Sequence, residues 1–162
     1  MPIPSGFTQH SSGYWFKISD QSGPYVFDGA NPVLAGAVAA NSDTAALLTY
    51  TAAAVGSNGA DQTNTNARGI KLVIDVTALT GTVPTLTVTL QGKDAASGKY
   101  YTILASTPLA AVATTTLEIY PGILNAANLA QGVALPRVWR VIAAIGGTTP
   151  AVTATVGASL IV

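Results

Sequence analysis

Few side chains in this sequence could do chemistry, and their spacing limits what that chemistry could be. His10 is the one histidine. Its neighbours Gln9 and Ser11 supply no carboxylate to complete a metal site, so His10 reads as an exposed residue. The run Asn58-Gly59-Ala60-Asp61-Gln62-Thr63-Asn64-Thr65-Asn66 places side-chain oxygens at intervals that hint at a calcium loop. Such a loop needs further carboxylates, and Asp61 stands alone in it. A polar surface loop is the expectation. A Ser-His-Asp triad would have to draw on His10, and no nucleophile-elbow pattern is present. A carboxylate pair for glycoside hydrolysis would come from six Asp and one Glu. Asp75 and Glu118 lie in alternating runs flanked by apolar residues, which turns both outward into water. Gly146-Gly147-Thr148-Thr149 lacks the lysine and the following helix of a phosphate loop. The expectation is therefore no catalytic residue, no cofactor and no metal.

The most distinctive cluster is Arg137, Trp139 and Arg140. On a strand, Val138, Arg140 and Ile142 share one face, and Trp139, Val141 and Ala143 share the other. Trp139 then belongs to the core. The arginines either bind a carboxylate at a subunit seam or lie along the sheet edge with only their heads in water.

Charge narrows the field further. The chain has 162 residues with seven basic and seven acidic side chains, so its formal net charge is zero. Charged residues make up 9%, against roughly 25% in an ordinary soluble domain. No basic excess exists to neutralise phosphates, which argues against nucleic-acid binding. There is no cysteine, and so no disulfide, thiolate nucleophile or zinc-thiolate site. Thr, Ser, Asn and Gln must supply most of the wet surface. A surface this neutral is poorly protected against self-association, which favours a chain covered by its own copies or by a larger assembly. The start carries no basic, apolar leader. The apolar stretch from Val33 to Val55 is broken by Asn41, Ser42, Asp43 and Thr44, so no membrane span is expected.

The elements that must position these residues read as strands. Ile70, Leu72, Ile74 and Val76 alternate with Lys71, Val73, Asp75 and Thr77. Thr85 to Gln91 alternates Thr with Leu and Val. Both patterns mean half-buried strands. Lys99 to Leu104, Thr114 to Tyr120, Arg137 to Ile145 and Val152 to Val162 are further strands. Gly92 to Gly98 forms a hairpin loop, and Gly146 to Pro150 separates the last two strands. Ala46 to Val55 is expected as strand with loop before it, and Leu124 to Gln131 as a short helix capped by Asn125. No internal repeat is apparent. Residues 1–45 differ: they hold Phe7, Tyr14, Trp15, Phe16, Tyr25 and Phe27 among prolines, with weak periodicity. They read either as an extended arm that packs on another surface or as an irregular first strand of the domain itself. The expected fold is all-β: an antiparallel β-sandwich, jelly-roll or Ig-like, over residues 46–162, with residues 1–45 as an extended N-terminal arm and connection.

Several segments carry a resemblance: Arg68 to Thr77, Gln91-Gly92-Lys93-Asp94 with Ser97 to Leu104, Leu117 to Gly122, Leu135 to Val141, and Thr155 to Ile161. In this order, across Ala46 to Val162, they resemble a family of small virion structural proteins of tailed bacteriophages. The resemblance implies a protein without catalytic duties, a capsid decoration (cement) protein clamping the major capsid protein on the outer surface of the virion, assembled in the host cytoplasm. It implies a homo-oligomer, trimer favoured, with no nucleic acid or membrane partner. Phe7, Tyr14, Trp15, Phe16, Tyr25, Phe27, Arg137 and Arg140 are the candidate interface residues. The alternatives are a tail or head-tail component, or a glycan-binding sandwich using Tyr100 or Tyr101 near Lys99 and Gln91.

Overall fold

The structure is a computed structural model. It describes residues 46–162 in full, together with the backbone of 7–9, 15–17, 24–28, 31–34 and 42–45. The chain divides into two compact units, Met1–Val38 and Ala39–Val162. In the first, strands β1 (Phe7–Gln9), β2 (Trp15–Lys17), β3 (Pro24–Asp28) and β4 (Asn31–Leu34) pair antiparallel in chain order. This segment, read from sequence as an arm, thus has a sheet of its own.

The second unit is built on two long strands, β7 (Gly69–Lys93) and β11 (Val138–Ile161). They pair antiparallel along their whole length, from Trp139 opposite Gly92 to Ile161 opposite Gly69. Around one half of this ribbon, β5 (Ser42–Ala53) pairs with β11, and β9 (Ala113–Ile119) pairs with β7. Around the other half, β6 (Gln62–Thr63) pairs with β11, and β8 (Tyr100–Ala105) pairs with β7. The two-residue β10 (Ala130–Gln131) runs parallel to β9, so the sheet is mixed rather than wholly antiparallel.

Alternation explains the burial. Ile70, Leu72, Ile74 and Val76 on one half of β7, and Leu86, Val88 and Leu90 on the other, are buried. Trp139, Val141 and Ala143 are buried on β11, as are Val152, Ala154 and Val156. These residues, from both halves of the ribbon, form one hydrophobic cluster with Leu48 and Tyr50 of β5. The intervening positions carry the threonines, whose branched side chains suit a pleated surface.

Three expectations change. The segments read as two strand pairs on either side of residues 77–85 and 146–150 are two continuous strands that bend together. The bend is made by a repeat that sequence reading missed. Ala78–Leu90 and Ala144–Val156 are identical at six of thirteen positions, including Gly81/Gly147, Thr82/Thr148 and Pro84/Pro150. Gly81 and Gly147 have φ of 115° and 113°, and Val83 and Thr149 have φ of 50° and 47°. Contacts are reciprocal: a Cβ on Gly81 would sit 2.5 Å from the Thr149 carbonyl oxygen, and one on Gly147 would sit 2.7 Å from that of Val83. The prolines fall beside interruptions in the ladder, where their missing N–H is tolerated.

The second change concerns Leu124–Gln131, which is not a helix. Ala126 bridges Ala130, Asn128 is left-handed at φ 61°, and the Asn125 side chain accepts from the Gly132 N–H at 2.7 Å. Eight residues are too few to sustain a helix without strong packing, and β9 offers its edge instead. The third is that β5 begins at Ser42, inside the segment expected as loop. Among the described residues there is no helix, and so none long and apolar enough to cross a membrane.

Candidate functional site

Alternation sends Gln91, Lys93 and Arg140 to the outer face of the sheet, opposite Leu90 and Trp139. Hairpin pairing brings Tyr100 opposite Lys93. The segment after β5 returns along β11, with Gly59 N–H donating to the Val141 carbonyl at 2.8 Å, and this delivers Asp61 to the same place. The result is the most chemically dense cluster among the described residues. Lys93 Nζ donates to Asp61 Oδ2 at 2.8 Å, and Tyr100 Oη donates to Asp61 Oδ1 at 2.7 Å. Arg140 Nε donates to Gln91 Oε1 at 2.9 Å, while its guanidinium lies 3.4 Å from the Tyr100 ring centroid. Lys93 Nζ stands 5.1 Å from the same ring.

The electrostatics follow from these contacts. The hydrogen bond from Lys93, then that from Tyr100, holds the Asp61 carboxyl below its ordinary value of 3.8. The same bond to Asp61, then the one to Tyr100, raises Lys93 above 10.5. The Ser97 hydroxyl and backbone N–H, at 2.6 and 2.8 Å, close the β7–β8 hairpin on Asp94 and lower its pKa. Each Asp61 oxygen is engaged by a donor. The cluster can clamp the 54–66 segment onto the sheet; it offers no poised base.

A second anchor lies in the same segment. Asn64 is buried. Its Nδ2 donates to the carbonyls of Ala67 at 2.8 Å and Leu135 at 3.1 Å, and its Oδ1 accepts from Ala67 N–H at 2.8 Å. The segment is a surface loop as expected, with Asn58, Asp61, Thr63, Thr65 and Asn66 exposed, and the buried Asn64 pins it as a strap. One asparagine among several carries no sequence mark that separates it from its exposed neighbours. Trp139 lies in the core as its alternation requires, and its Nε1 has no hydrogen-bond partner among the described residues.

The two arginines part company. Arg140 is half-buried on Tyr100, and its charge adds to the field that lowers the chain's own Asp61. Arg137 is exposed, and its carbonyl accepts from Asn64 N–H at 2.7 Å. Tyr100 has its ring covered by Arg140. Tyr101 is 48% exposed and packs over Gly92. It lines a shallow cavity of about 290 Å³ with Thr102, Ile103, Gln131, Val133 and Ala134. Asp75 accepts from the Thr114 hydroxyl at 2.8 Å, and Glu118 lies opposite Lys71 on the adjacent strand. Among the described residues, no three His, Cys, Asp or Glu come together to hold a metal ion. His10 and Tyr14 lie outside the described residues, as do the side chains of Phe7, Trp15, Phe16, Tyr25 and Phe27.

Comparison with family profiles, curated proteins and solved structures returned no match.

Proposed function

We propose that this chain is a non-enzymatic structural protein of a tailed-bacteriophage virion, a capsid decoration protein that binds the major capsid protein on the outer surface of the head. The observation that carries the reading is how the few charges are used. Asp61 and Lys93 are spent on holding the chain's own strap and Arg140 on Gln91 and the Tyr100 ring of the same sheet, and the remaining surface is largely Thr, Ala and Val. Such a surface suits coverage by a lattice and by sister copies better than life as a free, colloidally stable monomer. The ordered segments from Arg68 to Ile161 that resemble the phage family support it. We read the two halves of the bent ribbon as the facing layers of a β-sandwich, since their inward residues share one hydrophobic cluster. The active form is a homo-oligomer, trimer favoured.

The test adds the full chain to empty expanded tailed-phage heads and follows sedimentation and head melting. Co-sedimentation with a raised head melting temperature, and no signal on a glycan array, is the expected result. Binding to isolated tails and not heads would replace this reading with a tail or head-tail role. One observation favours a second reading as a glycan-binding module: Tyr101, half-exposed, lines a cavity together with Gln131, which brings an aromatic residue and an amide residue to one concave site. A glycan-array signal lost in Tyr101→Ala, without head binding, would establish that reading instead.

A further inference from the structure

The strap holds a pair of residues with a chemistry of its own. Asn58-Gly59 is the one Asn-Gly pair in the chain, and every other asparagine precedes a residue with a side chain. Asparagine is thermally labile, and its loss runs through the backbone: the nitrogen of the following residue attacks the side-chain amide carbon. A side chain on that following residue hinders the attack, and glycine has none. The structure explains why glycine stands at 59. Gly59 is not among the left-handed glycines. A Cβ there would sit 2.6 Å from the Val141 carbonyl oxygen. The position is glycine because the strap runs against β11, and the lability of Asn58 comes with that close approach.

The same contacts hold the reaction off. Asn58 is exposed, but its backbone bridges Ile142. On either side of it, the Gly59 N–H donates to the Val141 carbonyl at 2.8 Å and the Ser57 carbonyl accepts from the Ala143 N–H at 2.9 Å. The Gly59 nitrogen must leave Val141 before it can turn on the Asn58 side chain. Two residues on, Lys93 and Tyr100 clamp Asp61 to the sheet. The reactive conformation is therefore reached only when this part of the strap lifts from β11, a local opening and not a global one.

We propose that Asn58 is a spontaneous modification site whose rate is set by lifting of the strap and whose main-chain-lengthened product keeps the strap lifted. The Gly59 nitrogen forms a bond to Asn58 Cγ, the Cγ–Nδ2 bond breaks, and ammonia leaves with the Gly59 amide proton. A five-membered cyclic imide remains. Water adds to one of its two carbonyls and opens the ring, which leaves aspartate or isoaspartate and one new negative charge. In isoaspartate the main chain runs through Cβ and Cγ and is one carbon longer. The spacing from the Ser57 carbonyl to the Gly59 amide then no longer matches that from the Ala143 amide to the Val141 carbonyl, and the two bonds cannot both re-form. Opening becomes one-way.

The test incubates the full chain, folded and in urea, at one neutral pH and temperature. Peptide mapping follows the amide-to-acid mass gain at each asparagine. In urea Asn58 should convert before any other asparagine. In the folded chain it should convert more slowly by roughly tenfold or more, as a group that reacts only from an opened state does. Asp61→Ala should speed the folded reaction by about two- to fivefold, the worth of an exposed ion pair, with its cooperative melt retained. Lys93→Met, which keeps the Tyr100 bond to Asp61, should give a smaller rise. Hydrogen exchange reads the product: the isoaspartate form, separated from aged protein, should lose protection at Gly59 and Ala143. Fresh Asn58→Asp, which has the charge without the added carbon, should keep it. Equal rates in the folded and unfolded chains, earlier conversion elsewhere in urea, or folded Asp61→Ala and Lys93→Met reacting at the wild-type rate would overturn the gating. Protection kept in the isoaspartate form, or lost equally in Asn58→Asp, would overturn the one-way step.

Discussion

Trp139 and the Asp61 cluster show how differently two conspicuous groups of residues can act. Trp139 is a core residue, and Trp139→Ala should cost about 3–5 kcal/mol. Its indole N–H is buried without a partner among the described residues, so Trp139→Phe removes an unsatisfied donor along with some volume and should cost clearly less. Chemical denaturation of the two variants decides this; equal losses would mean the indole N–H has a partner after all. Glu118→Ala, on the outer face of β9, should change stability by less than about 0.5 kcal/mol. The Asp61 clamp makes a pH statement. Asp61 is depressed, so its contribution is present above the ordinary aspartate value of 3.8 and is lost as pH falls through the lower folded value. Lys93 is raised, so its contribution holds below 10.5 and is lost as pH rises beyond its folded value. Between these limits the clamp is constant. The protection factor of the Gly59 amide, which bonds to Val141, that is its exchange rate divided into the intrinsic rate at the same pH, should be constant across neutral pH and fall as pH drops below 3.8, with Asp61→Asn showing the low protection throughout.

At the scale of elements, the bend of β7 and β11 decides the fold. Gly81→Ala and Gly147→Ala each push a methyl group against a facing carbonyl in a backbone region that L-residues avoid, and each should destabilise by about 1–3 kcal/mol. Because the two sites are reciprocal, the losses should be similar. Val83→Asn and Thr149→Asn should have the opposite sign, since Asn tolerates φ near 50° better than a β-branched residue does. Thermal melting of the four variants checks this, and a loss on both Asn substitutions would show that the branched side chains carry contacts worth more than the strain. Gly56 is a third site without room, because a Cβ there collides with the Ala143 carbonyl. The 54–66 strap passes too close to β11 for any side chain at that position.

For the molecule as a whole, the twenty residues of the hydrophobic cluster run from Leu48 to Ala158. Residues Ala39–Val162 form a compact unit by themselves. A chain of residues 39–162 should therefore keep a cooperative thermal transition, while losing attachment to the phage head if the aromatic N-terminal segment takes part in it. Loss of the transition would place Phe7, Trp15 and their neighbours in the domain's own core.

Local rules sufficed for part of this. Alternation alone put Ile70, Leu72, Ile74, Leu86, Val88, Leu90, Trp139 and Val141 inside and Asp75, Glu118 and Arg140 outside, because side chains leave a strand with period two whatever the strand pairs with. The Gly92–Gly98 hairpin was legible for a similar reason: its geometry is written in neighbouring residues such as Asp94, Ser97 and Gly98. What local rules could not settle was continuity and partnership. Gly146 to Pro150 looks like a turn in isolation. It becomes a bend within one strand only because Ala78 to Leu90 lies beside it with the same glycine and proline, so that both backbones turn together and stay paired. The same holds for the Asp61 cluster. Its members lie at positions 61, 91, 93, 100 and 140, and no spacing rule connects them. They meet because β7, β8 and β11 are adjacent and the strap is pinned by Gly59 and Asn64, which is a property of sheet order and not of any one segment.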